Sequence, residues 1–162
     1  MASGLILNPI HLLHIAPLAT STGSLAHALV ELTTTSAFLS PSIRKQSETL
    51  LPNWFDQFFR RSVWSVLTLN LGTISTTAAT LVLNRRNPAL QTTSFYWAGL
   101  AGAVGHLLFV PLVAGPVQRI VEDCSKGKAS VDLERWVSVH RIRMLLVDFP
   151  AWLAFVGAVL TL

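Results

Sequence analysis

No Asp, Glu, Lys or Arg occurs between Arg86 and Arg119, and within that gap the run from Phe95 to Val117 is apolar or small at nearly every position. About 20 such residues carry an α-helix across the hydrocarbon core of a bilayer, more than a buried helix of a water-soluble protein usually needs. The run reads as a membrane span. In lipid an ionisable side chain is costly to keep, so each one retained inside a span calls for a functional reason. Composition agrees: of 162 residues, 51% are hydrophobic and 12% charged, with mean hydropathy +0.53, which leaves too few charges to coat a water-soluble particle of this size.

Three more spans are expected. One covers about 63–83, bracketed by Arg60 and Arg61 before it and Asn84, Arg85 and Arg86 after it, with Ser, Thr and Asn70 as its polar content. Another covers about 137–162; its segment starts near Trp136, turns continuously apolar at Met144 and contains Asp148 and Pro150. A helix that long exceeds the hydrocarbon core, so its first turns stand at the interface or lean on neighbours. The first span, about 18–39, is diluted by Ser, Thr, His27 and Glu31 and needs packing partners. Gly4 to Leu18, interrupted by Pro9 and Pro17, reads as an interfacial or luminal lead-in rather than a cleaved signal. Pro52 to Arg61 mixes aromatics and arginines as an interfacial amphipathic helix does. The expected fold is all-α, a single transmembrane domain over residues 1–162: an integral membrane four-helix bundle with an interfacial helix between spans one and two.

Ten of the twelve basic residues fall in the first and third loops or the first turns of span four. The positive-inside rule then puts both loops in the cytosol and both termini in the lumen, with the endoplasmic reticulum as the default membrane. The net charge of +4 sits beside apolar segments, which suits anionic headgroups and not nucleic acid. Cys124 is the single cysteine, so an intrachain disulfide and a cysteine-based zinc site are excluded. The expected partners are the bilayer and a small hydrophobic substrate; self-association and association with other pathway enzymes stay open.

The polar groups can be ranked by depth. His27 and Glu31 are four apart on one face of span one, and Asn70 heads a stripe continued by Thr73 and Thr77 in span two. In span three Ala98, Gly102 and His106 share a face, which brings His106 to mid-membrane against a neighbour. In span four His140 and Arg143 are three apart on one side, and Arg141 and Asp148 seven apart on another. Each has a plain alternative: an interhelical pair for His27 and Glu31, interhelical glue for Asn70, a packing histidine for His106, headgroup contacts for His140 and Arg143, an ion pair for Arg141 and Asp148, and a kink at Pro150. Trp54, Trp64, Trp97, Trp136 and Trp152 fit interfacial belts as well as a stacking box.

The segment from Val131 to Arg143, with Trp136, His140 and Arg143 ahead of an apolar last helix, resembles the final motif of small four-helix membrane proteins related to fungal anthrone oxygenases. Pro111 to Gln118 is similar to the segment before the third loop there, with Gln118 where an Asn is common. The resemblance implies a secondary-metabolite enzyme acting on a lipophilic polyketide or terpenoid intermediate. It implies cofactor-free oxygenation: a base makes a carbanion, which reduces molecular oxygen without flavin or metal. His27, His106 and His140 are then the candidate bases, Glu31 an orienting or proton-coupling group, and Arg143 and Asn70 the stabilisers of a developing enolate; Trp64, Trp136 and Asp148 join the substrate contacts. Two other classes compete. A base-assisted isomerase or cyclase would use the same residues, and a metal enzyme would draw on His27, Glu31, His106 and His140, although no HExxH motif supports it. A non-enzymatic scaffold or transport protein is the third reading, against which the chain is small and lacks an inverted repeat.

Overall fold

The computed structural model describes residues 8–85 and 90–162, and every regular element among them is helical. In chain order these are α1 (Pro9–Ala37), α2 (Arg44–Asn84), α3 (Leu90–Leu107), α4 (Val110–Val121), α5 (Ala129–Arg143), a π-helical turn (Met144–Asp148) and α6 (Phe149–Leu160). They form four rods: α1, α2, α3 bent into α4, and α5 continued through the π turn into α6. Three rods, Arg44–Asn84, Thr92–Val121 and Ala129–Leu160, are long and apolar enough to cross a membrane. The α1 rod, whose Ser and Thr content dilutes it, supplies polar groups to the interior.

The first helix starts earlier than the sequence led us to expect. Asn8 caps it, its side-chain oxygen accepting from the Ile10 N–H at 3.0 Å, and Pro9 occupies the first turn, where a missing N–H costs nothing. Pro17, read as an interruption, lies inside the helix. It deprives the Leu13 carbonyl of its usual donor four residues on, and the Thr80 hydroxyl of α2 fills that role at 3.2 Å. The part of the expected lead-in before Asn8 lies outside the described residues.

Pro52 to Arg61 is likewise no separate helix. It belongs to the 41-residue α2, which at 1.5 Å per residue is roughly 60 Å long, about twice the hydrocarbon thickness. Its first half therefore runs beyond the lipid core, and its aromatics pack inward. Phe55 is fully buried and meets Trp136 edge-on at 5.7 Å, while Trp54 stacks on Phe58 at 4.8 Å. With Leu51, Ile120 and Leu133 they close one end of the bundle; Leu81, Tyr96, Phe155 and Ala158 close the other. The polar side chains of the interior lie between these apolar plugs.

The third span breaks at Leu108 and Phe109. Pro111, in the first turn of α4, cannot donate to the Leu107 carbonyl, and the helix restarts after the two turn residues. At the α4–α5 turn Arg119 binds Asp132 at 2.6 Å and Ser125 donates to Asp132 at 2.8 Å, while Glu48 of α2 accepts the Ser130 N–H at 3.1 Å and so caps α5.

Helix α3 meets α6 at small residues. A Cβ on Gly102 would stand 2.6 Å from the Ala151 Cβ and 3.3 Å from the Val147 carbonyl oxygen, so the two backbones approach only because that carbon is missing. A Cβ on Gly105 would meet nothing closer than the Val147 methyl at 3.5 Å. Gly102→Val should therefore lower the stability of the detergent-solubilised protein by about 1–3 kcal/mol, read as a fall in melting temperature, whereas Gly105→Ala should leave it unchanged.

Candidate active site

Four rods feed one polar layer. Helix α1 presents Ser24, His27 and Glu31 on one face, spaced by three and four residues. Asn70 comes from α2, His106 from the last turn of α3, and Trp136, His140, Arg143 and Asp148 from the fourth rod. Glu31, Asn70, His106 and His140 are buried, and the side chains of Arg143 and Asp148 are only 12% and 10% exposed.

The π turn sets the geometry of the fourth rod. The Phe149 N–H bonds to the Met144 carbonyl, five residues back, so the turn is widened by one residue just before Pro150. Residues five apart thereby face the same way, and Asp148 comes round to Arg143, whose Nε donates to Oδ2 at 3.2 Å. Arg141, expected to share a face with Asp148 on the ordinary helical period, is exposed and takes no part. The other Asp148 oxygen, Oδ1, lies 2.8 Å from Nδ1 of His106. A carboxylate only accepts, so the proton of the neutral imidazole sits on Nδ1 and the lone pair on Nε2.

His140 is tied at both nitrogens. Its Nε2 donates to the Ala28 carbonyl of α1 at 2.9 Å, and its Nδ1 accepts from the Arg143 Nη2 at 3.2 Å. The ring also stacks on Trp136 at 4.8 Å. Glu31 lies 3.9 Å from that Nδ1 and 3.7 Å from the Nδ1 of His27. Arg143 thus bridges His140 and Asp148, and its Nη1 is left over from both bonds.

Three chambers adjoin this network, one of them, about 20 Å³, lined by Ser24, Asn70, Thr73 and Asp148 among others. Of the other two, the larger, of about 190 Å³, is lined by Glu31, Asn70, His106, Trp136 and Arg143 on its polar side and by apolar residues of α2 and α4 on the other. The Nδ2 of Asn70 is buried without a hydrogen-bond partner. The smaller, about 10 Å³, is bounded by Ser24, His27, Glu31, His106 and Arg143, with the Ser24 hydroxyl and His27 Nδ1 also unpartnered. That is room for about one water molecule among groups able to bind it.

Every residue singled out from the sequence can now be placed. Glu31, Asn70, His106, Trp136 and Arg143 meet at the larger chamber, His27 lines the smaller, and His140 and Asp148 stand behind, holding Arg143 and His106. Trp64 lies outside them, 71% exposed, on a groove between α2 and α4. Thr73 and Thr77 bond to carbonyls of their own helix, as their plain reading had it, and the Thr73 hydroxyl also meets that of Thr20 across α1 and α2 at 2.8 Å. Among the described residues no three His, Cys, Asp or Glu side chains are grouped as a metal ion requires. Sequence reasoning missed Ser24, the Ala28 carbonyl and the Asp148–His106 pair; Pro150, which ends the π turn, was the one signal pointing to the last.

Epoxidase pydX of Acremonium sp is 29% identical over 157 residues, covering 96% of this chain and 97% of the relative. Epoxidase gkaX of Penicillium citrinum is 29% identical over 153 residues, covering 92% and 93%. The similarity is end to end. It is to fungal biosynthetic proteins named as epoxidases, not to anthrone oxygenases by name. No protein-family model matches the chain, and no solved structure matches at a significant level.

The ion pair at the centre yields a test that needs no substrate. Arg143→Met leaves the Asp148 carboxylate without its guanidinium partner and should cost about 3–5 kcal/mol; adding Asp148→Asn should restore part of it, a coupling that a double-mutant cycle of melting transitions in detergent reads directly.

Proposed function

We propose that this protein is a membrane-embedded biosynthetic oxygenase, in which His106 is the base and dioxygen the co-substrate. The observation that carries the reading is the Asp148–His106 pair at the edge of the larger chamber: one ring nitrogen is fixed by a carboxylate and the other is left as a lone pair. His140, with both nitrogens engaged, orients Arg143 and Trp136 and does not act as a base. The end-to-end similarity to proteins named epoxidases supports oxygen transfer as the outcome.

In the proposed sequence His106 Nε2 takes a proton from an activated C–H of a lipophilic polyketide or terpenoid substrate. The electron pair left on carbon is delocalised onto a carbonyl oxygen, which the Asn70 amide and Arg143 Nη1 stabilise. The carbanion passes its electrons to dioxygen, a C–O bond forms, and the proton held by His106 returns to the terminal oxygen, giving a hydroperoxide. Transfer of that oxygen to a neighbouring C=C bond gives an epoxide and leaves a hydroxyl group; loss of water instead gives a ketone, as on an anthrone. Both outcomes balance with dioxygen alone. We place the work in the endoplasmic reticulum, with the bilayer supplying the substrate.

Membranes bearing the protein should convert anthrone, or a lipophilic enone carrying an acidic C–H, with incorporation of label from ¹⁸O₂ and without inhibition by chelators. His106→Ala should lower turnover about 10²–10⁴-fold. Asp148→Asn should cost about 10²-fold or more, because an amide N–H at that position favours the opposite tautomer of the imidazole. Turnover that persists under argon would replace oxygenation with the isomerase or cyclase reading, and intact turnover in His106→Ala would remove that residue as the base.

A further inference from the structure

A chamber of about 190 Å³ lies below the roughly 300–1,000 Å³ of ordinary small-molecule sites. Beside it lies a groove of about 770 Å³ between α2 and α4 that shares Phe59, Val63, Leu67, Val110 and Val113 with it, so the two spaces are neighbours that meet at these five apolar side chains. Trp64 and Val117 extend the groove outward, and its far end carries Asp56, Arg60, Gln118 and Glu122.

The chemistry of that far end is specific. Arg60 donates to Asp56 at 2.8 Å, so its charge is already matched. Gln118 Nε2 donates to Glu122 Oε1 at 3.0 Å, a neutral donor that leaves the carboxylate charge in place. Among the described residues the mouth therefore holds one carboxylate, Glu122, that is not paired with a cation, next to an amide. It disfavours an incoming carboxylate or phosphate and favours a cationic or neutral group that donates hydrogen bonds.

We infer that the α2–α4 groove is the outer half of the substrate site, and that it selects an elongated lipophile whose reactive end reaches His106 and whose amide, hydroxyl or amine end rests beside Glu122. The inference rests on the reading of the inner chamber given above and adds to it the shape and polarity of the substrate. A compact three-ring molecule would fill only the inner half.

Two probes with the same brominated tail and different heads test this: 9,10-dibromostearamide and 9,10-dibromostearic acid. Bromine quenches tryptophan on contact, and Trp64 lines the groove. With the full chain in a non-ionic detergent, the amide should quench saturably at about tenfold lower concentration than the acid. Glu122→Lys should reverse that order, a change that partition of the probes into micelles cannot produce because it is the same for both proteins. Ala114→Phe or, should that variant melt early, Val117→Phe should fill the groove and weaken the amide about tenfold, and Trp64→Phe should abolish the saturable signal. Equal quenching by both heads that Glu122→Lys leaves unaltered would overturn the proposal. So would dibromo-phosphatidylcholine binding as tightly as the amide, since the groove would then hold an ordinary lipid tail. The readout needs no turnover, so absent head preference counts against the groove alone, and intact activity of His106→Ala counts against the base alone.

Discussion

The bond from Arg143 to Asp148 is the constraint from which the interior follows. Two carboxylates, Glu31 and Asp148, lie buried in a bundle whose exterior is built for lipid, and a lone buried carboxylate is among the costliest groups a fold can carry. A guanidinium reaches Asp148 because the π turn brings residues five apart onto one face, and Glu31 stands beside His27 and His140. From that bond the rest is placed in order: Asp148 has an oxygen left for His106, Arg143 has an N–H left for His140, and His140 then reaches across to the Ala28 carbonyl and fixes α1. Three rods are locked by a chain of polar contacts between two apolar plugs.

How much of this the residues announced depends on whether the information was local. The rods were legible, because a charge-free run such as Phe95 to Val117 has few soluble solutions. So were the pairs within one helix, His27 with Glu31 and His140 near Arg143, which follow from a period of 3.6. The end-points were not. Pro17 reads as a break, and only Thr80, more than sixty residues away, satisfies the carbonyl it exposes. Pro52 reads as the start of an interfacial helix, yet α2 passes straight through it because the residues on both sides pack against α4 and α5. Asp148 was assigned to Arg141 by regular geometry, and a widened turn of one residue gave it to Arg143.

The same logic divides the site residues into those that face the chamber and those that hold them. Sequence alone ranked the three histidines together, since each is a titratable group that the bundle could turn inward. Their neighbours separate them: a carbonyl and a guanidinium consume both nitrogens of His140, His27 faces a space for about one water, and His106 keeps a lone pair at the larger chamber. What distinguishes a base from a strut is which partners the other helices present, and no period within one helix carries that.

On the proposed chemistry, the two groups assigned to the developing oxyanion are not equivalent. Arg143 already donates from Nε to Asp148 and from Nη2 to His140, so its position is set by partners it keeps throughout. Asn70 has no such commitment. Among the described residues its buried N–H has no hydrogen-bond partner, and leaving a donor dry costs free energy that the oxyanion recovers only when it forms. A group unsatisfied in the resting protein and satisfied in the transition state contributes differentially, which is what catalysis requires; a group satisfied in both contributes position. On that proposal Asn70 is the principal oxyanion contact, and Arg143 the residue that holds Asp148 and His140 in place around it.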